Sequence, residues 1–229
     1  MRNTTLTIMF TVCFCTHFAF AADDAKALSE KGDAAAQFRY AEMLRTGNGV
    51  VTNIADVVIW MRKAAEKGGA GAQFRYAEML RDGRGVAKDM KEAAKWTRKA
   101  ADAGHARAQC QMGLFYMNGL GVDRDEDKAV EWLEKAAKQN QAQAQYNLGI
   151  YHARFSDKES VRLALKWLNE AVKQDYADAE YNLAKLYLNP HHPASKEQGA
   201  GRQAIQLLRL AAVQNHAGAK RMLEELGVK

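Results

Sequence analysis

Apolar and small side chains in this chain fall on a helical stripe, and the stripe returns at a fixed interval. In the stretch Ala72 to Arg81 they stand at Ala72, Tyr76, Ala77 and Leu80, four positions on one face of an α-helix. The ten residues Ala36 to Arg45 recur unchanged as Ala72 to Arg81, and the same frame returns at Ala108, Ala144, Ala179 and Ala219. The intervals are 36, 36, 36, 35 and 40 residues. Two further series keep step with it: Trp60, Trp96, Trp132, Trp167 and Leu207, then Gly68, Gly104, Asn140, Asp175 and Asn215. Three series with one period establish an internal repeat.

Each repeat reads as two helices. The first carries the stripe just described and stops at a Gly-x-Gly-Val loop, Gly83 to Val86 in the second repeat. The second opens at a short polar cap (Asn53, Asp89, Asp125 and Ser160), with Glu92 completing a capping box on Asp89. It buries Ala93, Trp96, Thr97, Ala100 and Ala101, and the Gly, Asn or Asp series supplies the left-handed residue that ends it. A small residue five places after the leading Ala (Ala41, Ala77, Gly113, Gly149, Ala184) lets the paired helices approach closely. One such pair cannot cover its own apolar faces, whereas stacked neighbours can, so the predicted fold is an all-α solenoid. The boundaries fall at 36–71, 72–107, 108–143, 144–178 and 179–218, with a half-repeat cap over 22–35 and a capping helix over 219–229.

The residues Ala108, Met112, Gly113, Tyr116, Gly119, Gly121, Val122, Ala129, Trp132, Ala136 and Ala137 resemble the Sel-like repeat (SLR) family of the tetratricopeptide (TPR) superfamily. The resemblance spans nearly the whole chain after its first segment. It implies a right-handed α-solenoid of about five helix pairs with partial capping helices. It also implies adaptor proteins that hold other proteins in a concave groove lined by the first helices, although fold does not fix the partner.

Composition adds further points. Only two prolines are present, Pro190 and Pro193, so little interrupts helices before residue 190. Arg2, the apolar run Leu6 to Phe20 and the small residues Ala19 and Ala21 read as a cleavable signal peptide over 1–21, which places the chain in the periplasm or outside the cell. Its removal takes Cys13 and Cys15 with it and leaves Cys110 alone, unable to form an internal disulfide. The formal net charge of +6 is interleaved with acids, which does not point to nucleic acid. No second apolar run is long enough for stable membrane insertion after cleavage.

Carried over from the superfamily, the groove lining falls two, six and nine places after the leading Ala. In the first two repeats this gives Phe38, Glu42, Arg45 and Phe74, Glu78, Arg81, with the Glu and Arg residues spaced for ion pairs within each helix. In the later repeats it gives Cys110, Leu114, Met117, then Tyr146, Ile150, Ala153, then Tyr181, Lys185, Leu188. One part is aromatic with paired charges and the other nearly apolar. Two readings stand open: an exposed strip that binds a partner, or residues buried against one another by the curvature. Cys110 reads as a small packed or groove-lining thiol, since no His is placed to activate it.

Repeats four and five lose the Gly-x-Gly-Val loop, and repeat five carries Asn189 to Ser195 in its place. His191 and His192 there lack other placed ligands, so a solvated loop is expected rather than a metal site. None of Ser29, Ser156, Ser160 and Ser195 has Lys three residues on, and there is no His-Glu-x-x-His and no phosphate loop. The expected function is therefore a non-catalytic, cofactor-free protein that binds another periplasmic or secreted protein. A sharper form is an immunity protein neutralising a periplasm-acting toxin such as a phospholipase effector, a part some exported SLR-like proteins play. The alternatives are a cell-envelope scaffold and a β-lactam-binding or hydrolysing SLR protein.

Overall fold

The computed structural model describes residues 23–228, so the expected signal peptide lies outside the described residues. The described residues are helical, without strands. A helical segment over 23–30 precedes α1 (Ala34–Thr46), α2 (Ile54–Glu66), α3 (Ala70–Asp82), α4 (Met90–Asp102) and α5 (Ala106–Asn118). Then follow α6 (Glu126–Lys138), α7 (Ala142–His152), α8 (Lys158–Val172), α9 (Ala177–Leu188), a 3₁₀ turn (Pro193–Lys196), α10 (Ala200–Val213) and α11 (Ala217–Glu225). Odd helices are the first members of the repeats and even helices the second. None is long and apolar enough to cross a membrane.

The chain divides into two compact units, residues 1–124 and 125–229. In the first, each helix from α1 to α5 packs on the next. Its core holds Tyr40, Ala41, Leu44, Met61, Tyr76, Ala77, Leu80 and Trp96, positions of the first-helix stripe and of the buried face of the second helix. In the second, consecutive helices from α6 to α11 pack in the same way around Leu168, Leu183, Ala184, Tyr187, Leu207 and Leu208. Both are built as an α-solenoid is, each element burying its apolar face on its chain neighbours.

The close approach expected at the small residue is visible at Gly149 in α7. A Cβ there would lie 2.6 Å from Leu168 Cγ, a fully buried side chain of α8. The tryptophans of the second helices pack on the tyrosines of the first helices. Tyr40 meets Trp60, and Tyr76 meets Trp96, edge to face at 5.7 and 5.5 Å. Lys63, Lys99 and Lys135 lie over the Trp60, Trp96 and Trp132 rings at 4.2, 3.9 and 4.1 Å. Gly121 explains the second glycine of the loop: at φ +71° its Cβ would fall 2.1 Å from the Met90 carbonyl oxygen at the start of α4.

The joint between one repeat and the next is polar. Asn140, Asp175 and Asn215 take positive φ, as do Gly32, Gly68 and Gly104. The N–H of this left-handed residue donates to a carbonyl three residues back: Gly68 to Ala65, Gly104 to Ala101 and Asn140 to Ala137, each at 3.0 Å. The same carbonyl accepts a second bond from a buried glutamine that follows the leading Ala of the next first helix. Gln37 Nε2 donates to Ser29, Gln73 to Ala65, Gln109 to Ala101 and Gln145 to Ala137, at 3.1–3.3 Å. This glutamine series has the repeat period.

Two capping details depart from expectation. Asp157 caps α8 by accepting from the Ser160 N–H at 2.9 Å, so Ser160 is inside the helix and not its cap. A carboxylate is the stronger acceptor at the positive end of the helix, and α8 begins correspondingly early. Asp89 accepts from the Glu92 N–H, but Glu92 does not close the box. Its carboxylate accepts from Lys95 at 3.0 Å, while the Asp89 N–H donates to Leu80 at 2.9 Å. The loop after α9 is also less solvated than expected. His192 and Ala194 are buried, with His192 Nδ1 accepting from the Ala194 N–H at 3.2 Å, while Asn189, Pro190 and His191 are exposed.

Replacing Gly149 by Ala overpacks against Leu168 and is expected to cost about 1–3 kcal/mol in urea unfolding. Replacing Gly71, whose Cβ would meet only Phe38 Cζ at 3.7 Å, is expected to be neutral or to stabilise by up to about 1 kcal/mol.

Candidate functional site

The expected lining is distributed between the units. In the first unit Phe38, Glu42, Glu78, Arg81, Leu114 and Met117 are half-buried and Arg45 is exposed. Phe74 and Cys110 are buried, at 4% and 1% exposure. In the second unit Tyr146, Ile150, Tyr181 and Leu188 are half-buried and Lys185 is exposed.

The aromatic members of this set lean on the start of the following first helix. Phe74 stacks on His105 at 4.9 Å, Tyr146 meets Tyr176 at 5.3 Å, and Tyr181 meets His216 at 4.5 Å. His105, Tyr176 and His216 each hold the N-cap position of the next first helix. His105 and His216 also cap it, Nδ1 accepting from the Ala108 and Ala219 N–H groups at 3.2 and 3.1 Å. Only a neutral imidazole can accept there. Burial, with the charges of Arg107 and Arg75, holds His105 below the usual histidine range. The Phe74 ring is further covered by Arg107 at 5.6 Å. Packing between repeats therefore takes Phe74 out of the lining, and leaves the two tyrosines and Phe38 half-covered.

The charges form a different network from the expected one. Arg45 pairs with Glu42 at 2.6 Å as spaced, but Glu78 pairs with Arg75 at 2.9 Å and not with Arg81. Arg75 also approaches Glu42 at 3.7 Å, so one line of charge runs Arg45, Glu42, Arg75, Glu78 from α1 to α3. Arg81 turns instead to Asp82 at 2.7 Å and to Gln111 Oε1 at 2.8 Å. The adjacent Asp82, outside the ten-residue motif, competes for Arg81. The repeated Glu and Arg of the motif are thus used differently in repeats one and two.

Burial pushes the Cys110 thiol up to about 12, which keeps it protonated and unreactive. Among the described residues no group of His, Cys, Asp and Glu is arranged to hold a metal ion. His192 is held by its capping bond to the Ala194 N–H.

In the second unit Ile150, Lys185 and Leu188 line an open cavity of about 470 Å³. Leu186, Met222 and Leu226, which the sequence reading did not place in the lining, complete its apolar wall. They lie one helical position from the expected face, a shift that a fixed offset cannot anticipate. Glu225 stands at the same rim as Lys185.

The Sel1 repeat family model matches residues 34–69, 70–105, 106–141, 142–176 and 177–216. The chain belongs to the Sel1 repeat family. Among solved structures it is similar to a protective antigen of uropathogenic Escherichia coli displaying an SLR fold, at 29% identity and a TM-score of 0.80. That match covers 93% of this chain and 46% of that one, so this chain spans about half the antigen's length. It is similar to a Sel1 repeat protein from Oxalobacter formigenes, at 30% identity and a TM-score of 0.71, over 84% of this chain and 76% of that one. An immunity protein from Pseudomonas aeruginosa is 26% identical with a TM-score of 0.53, over 81% of this chain and 66% of that one. Among curated proteins none matches.

Phe74→Ala is expected to cost about 3–5 kcal/mol in stability, because the ring is buried between repeats. Phe38→Ala is expected to cost distinctly less in the same unfolding assay.

Proposed function

We propose that this Sel1 repeat protein is exported and binds another protein, without catalysis, through side chains on its first helices. The observation that carries the reading is the open, largely apolar cavity of the second unit. Its volume of about 470 Å³ suits one or two anchoring side chains of a partner, with Lys185 and Glu225 at the rim to select among them. In the first unit the half-buried Leu114 and Met117 offer a second apolar contact. The similarity to the Pseudomonas aeruginosa immunity protein supports the sharper form, in which the partner is a toxin acting in the periplasm, such as a phospholipase effector.

The test is capture of a toxin encoded beside this protein, with the purified chain as bait and circular dichroism as the fold control. Ile150→Glu and Leu114→Glu, alone and together, are expected to weaken capture by at least tenfold while helix content stays unchanged. Undiminished capture by the double variant would remove the proposed faces. Capture of cell-wall machinery instead of a toxin would favour a scaffold.

A further inference from the structure

Repeat five breaks the glutamine series at its joint. Where Gln37, Gln73, Gln109 and Gln145 stand in the other repeats, it has Glu180, which is 1% exposed. Each glutamine donates Nε2 to a carbonyl eight residues back that already accepts the N–H of the left-handed residue. The equivalent carbonyl here is that of Val172, which accepts the Asp175 N–H at 2.9 Å. An ionised carboxylate has no proton to give it.

The other half of the joint is preserved. Gln174 Nε2 donates to Gln145 Oε1 at 2.7 Å, and Gln214 Nε2 donates in the same way to Glu180 Oε2 at 2.9 Å. Gln214 satisfies one oxygen whichever way Glu180 is charged. The second contact alone depends on the proton.

We infer that Glu180 is a proton-operated latch: protonated, it donates to the Val172 carbonyl as the glutamines do elsewhere, and ionised, it leaves that bond unmade and the joint looser. The segment it fastens carries Tyr181, Lys185 and Leu188 on α9, so the latch sets how firmly one side of the cavity is held.

The charged groups around it act in both directions. Asp175, on the turn before α9, repels the carboxylate. His216, at the start of α11, favours the carboxylate when charged, and its Nε2 lies 3.2 Å from Asp178. Lys173 at the end of α8 is held by Glu170 at 2.7 Å, and Lys220 of α11 donates to Asn215 at 2.8 Å. Burial is the largest influence and Asp175 the next, and they raise Glu180 above the usual carboxylate range. The folded chain then takes up this proton at a higher pH than the unfolded chain. Stability from this group rises as pH falls through the folded value, and levels off below the unfolded value of about 4.3.

The experiment compares the thermal midpoints of the full chain, E180Q and E180A from pH 8 to pH 4.5, each against wild type at the same pH so that groups not coupled to Glu180 cancel, and repeats the series with His216→Asn, which keeps an N-cap acceptor and removes the titrating ring. E180Q supplies the donor permanently. It should melt about 2–4 °C above wild type at pH 8, and that advantage should vanish toward pH 4.5. E180A lacks the donor at every pH, so its deficit should grow on acidification. A pH-independent difference for either variant, or E180Q melting below wild type at pH 8, would overturn the latch.

Discussion

The structure depends on a carbonyl that accepts two hydrogen bonds at the ends of α2, α4 and α6. A left-handed residue turns the chain and gives it one N–H, and a glutamine buried in the next first helix gives it another. Backbone carbonyls at helix ends must find partners when they are buried. Here the partner comes from the following helix, so satisfying the end of one element fixes the start of the next. The apolar stripe supplies most of the burial, but apolar contact is not directional. The amide bond sets the place at which one repeat meets the next, while the close approach at Gly149 and the edge-to-face tyrosine and tryptophan contacts join the two helices within a repeat.

The same logic governs the candidate binding faces. A first helix spends part of its outward surface on its neighbour, because residues such as Phe74 reach forward to the next N-cap. What remains for a partner is what the next repeat does not cover. In the second unit that remainder includes a cavity of about 470 Å³ framed by α9 and α11. Members of a repeat family can therefore differ in binding without differing in fold, by changing which positions are used up between repeats.

Much of the fold was legible in the sequence because period is a global signal. The stripe, the tryptophans and the left-handed series each repeat, and each marks a buried or conformationally special position. The site was less legible. Phe74 reads as lining by its offset, yet its burial depends on His105, thirty-one residues away. Arg81 reads as the partner of Glu78, yet Asp82 beside it and Gln111 across the repeat take it. The glutamine series was present in the sequence with the right period, but a lone glutamine among polar residues looks like surface. Only its bond to a carbonyl eight residues back reveals it as interior. Glu180 gains its meaning by breaking that series.

The most direct test of this account is Gln145→Met in the full chain, followed by urea unfolding and amide hydrogen exchange. Methionine keeps the length and apolar stem but removes both the donor to Ala137 and the acceptor of Gln174. A loss of about 1–3 kcal/mol, with faster exchange at Asn140 and Gln141, is the result expected if the amide joint orders the repeats. Unchanged stability and protection would contradict it, and would leave apolar burial as the sole organiser of the stack.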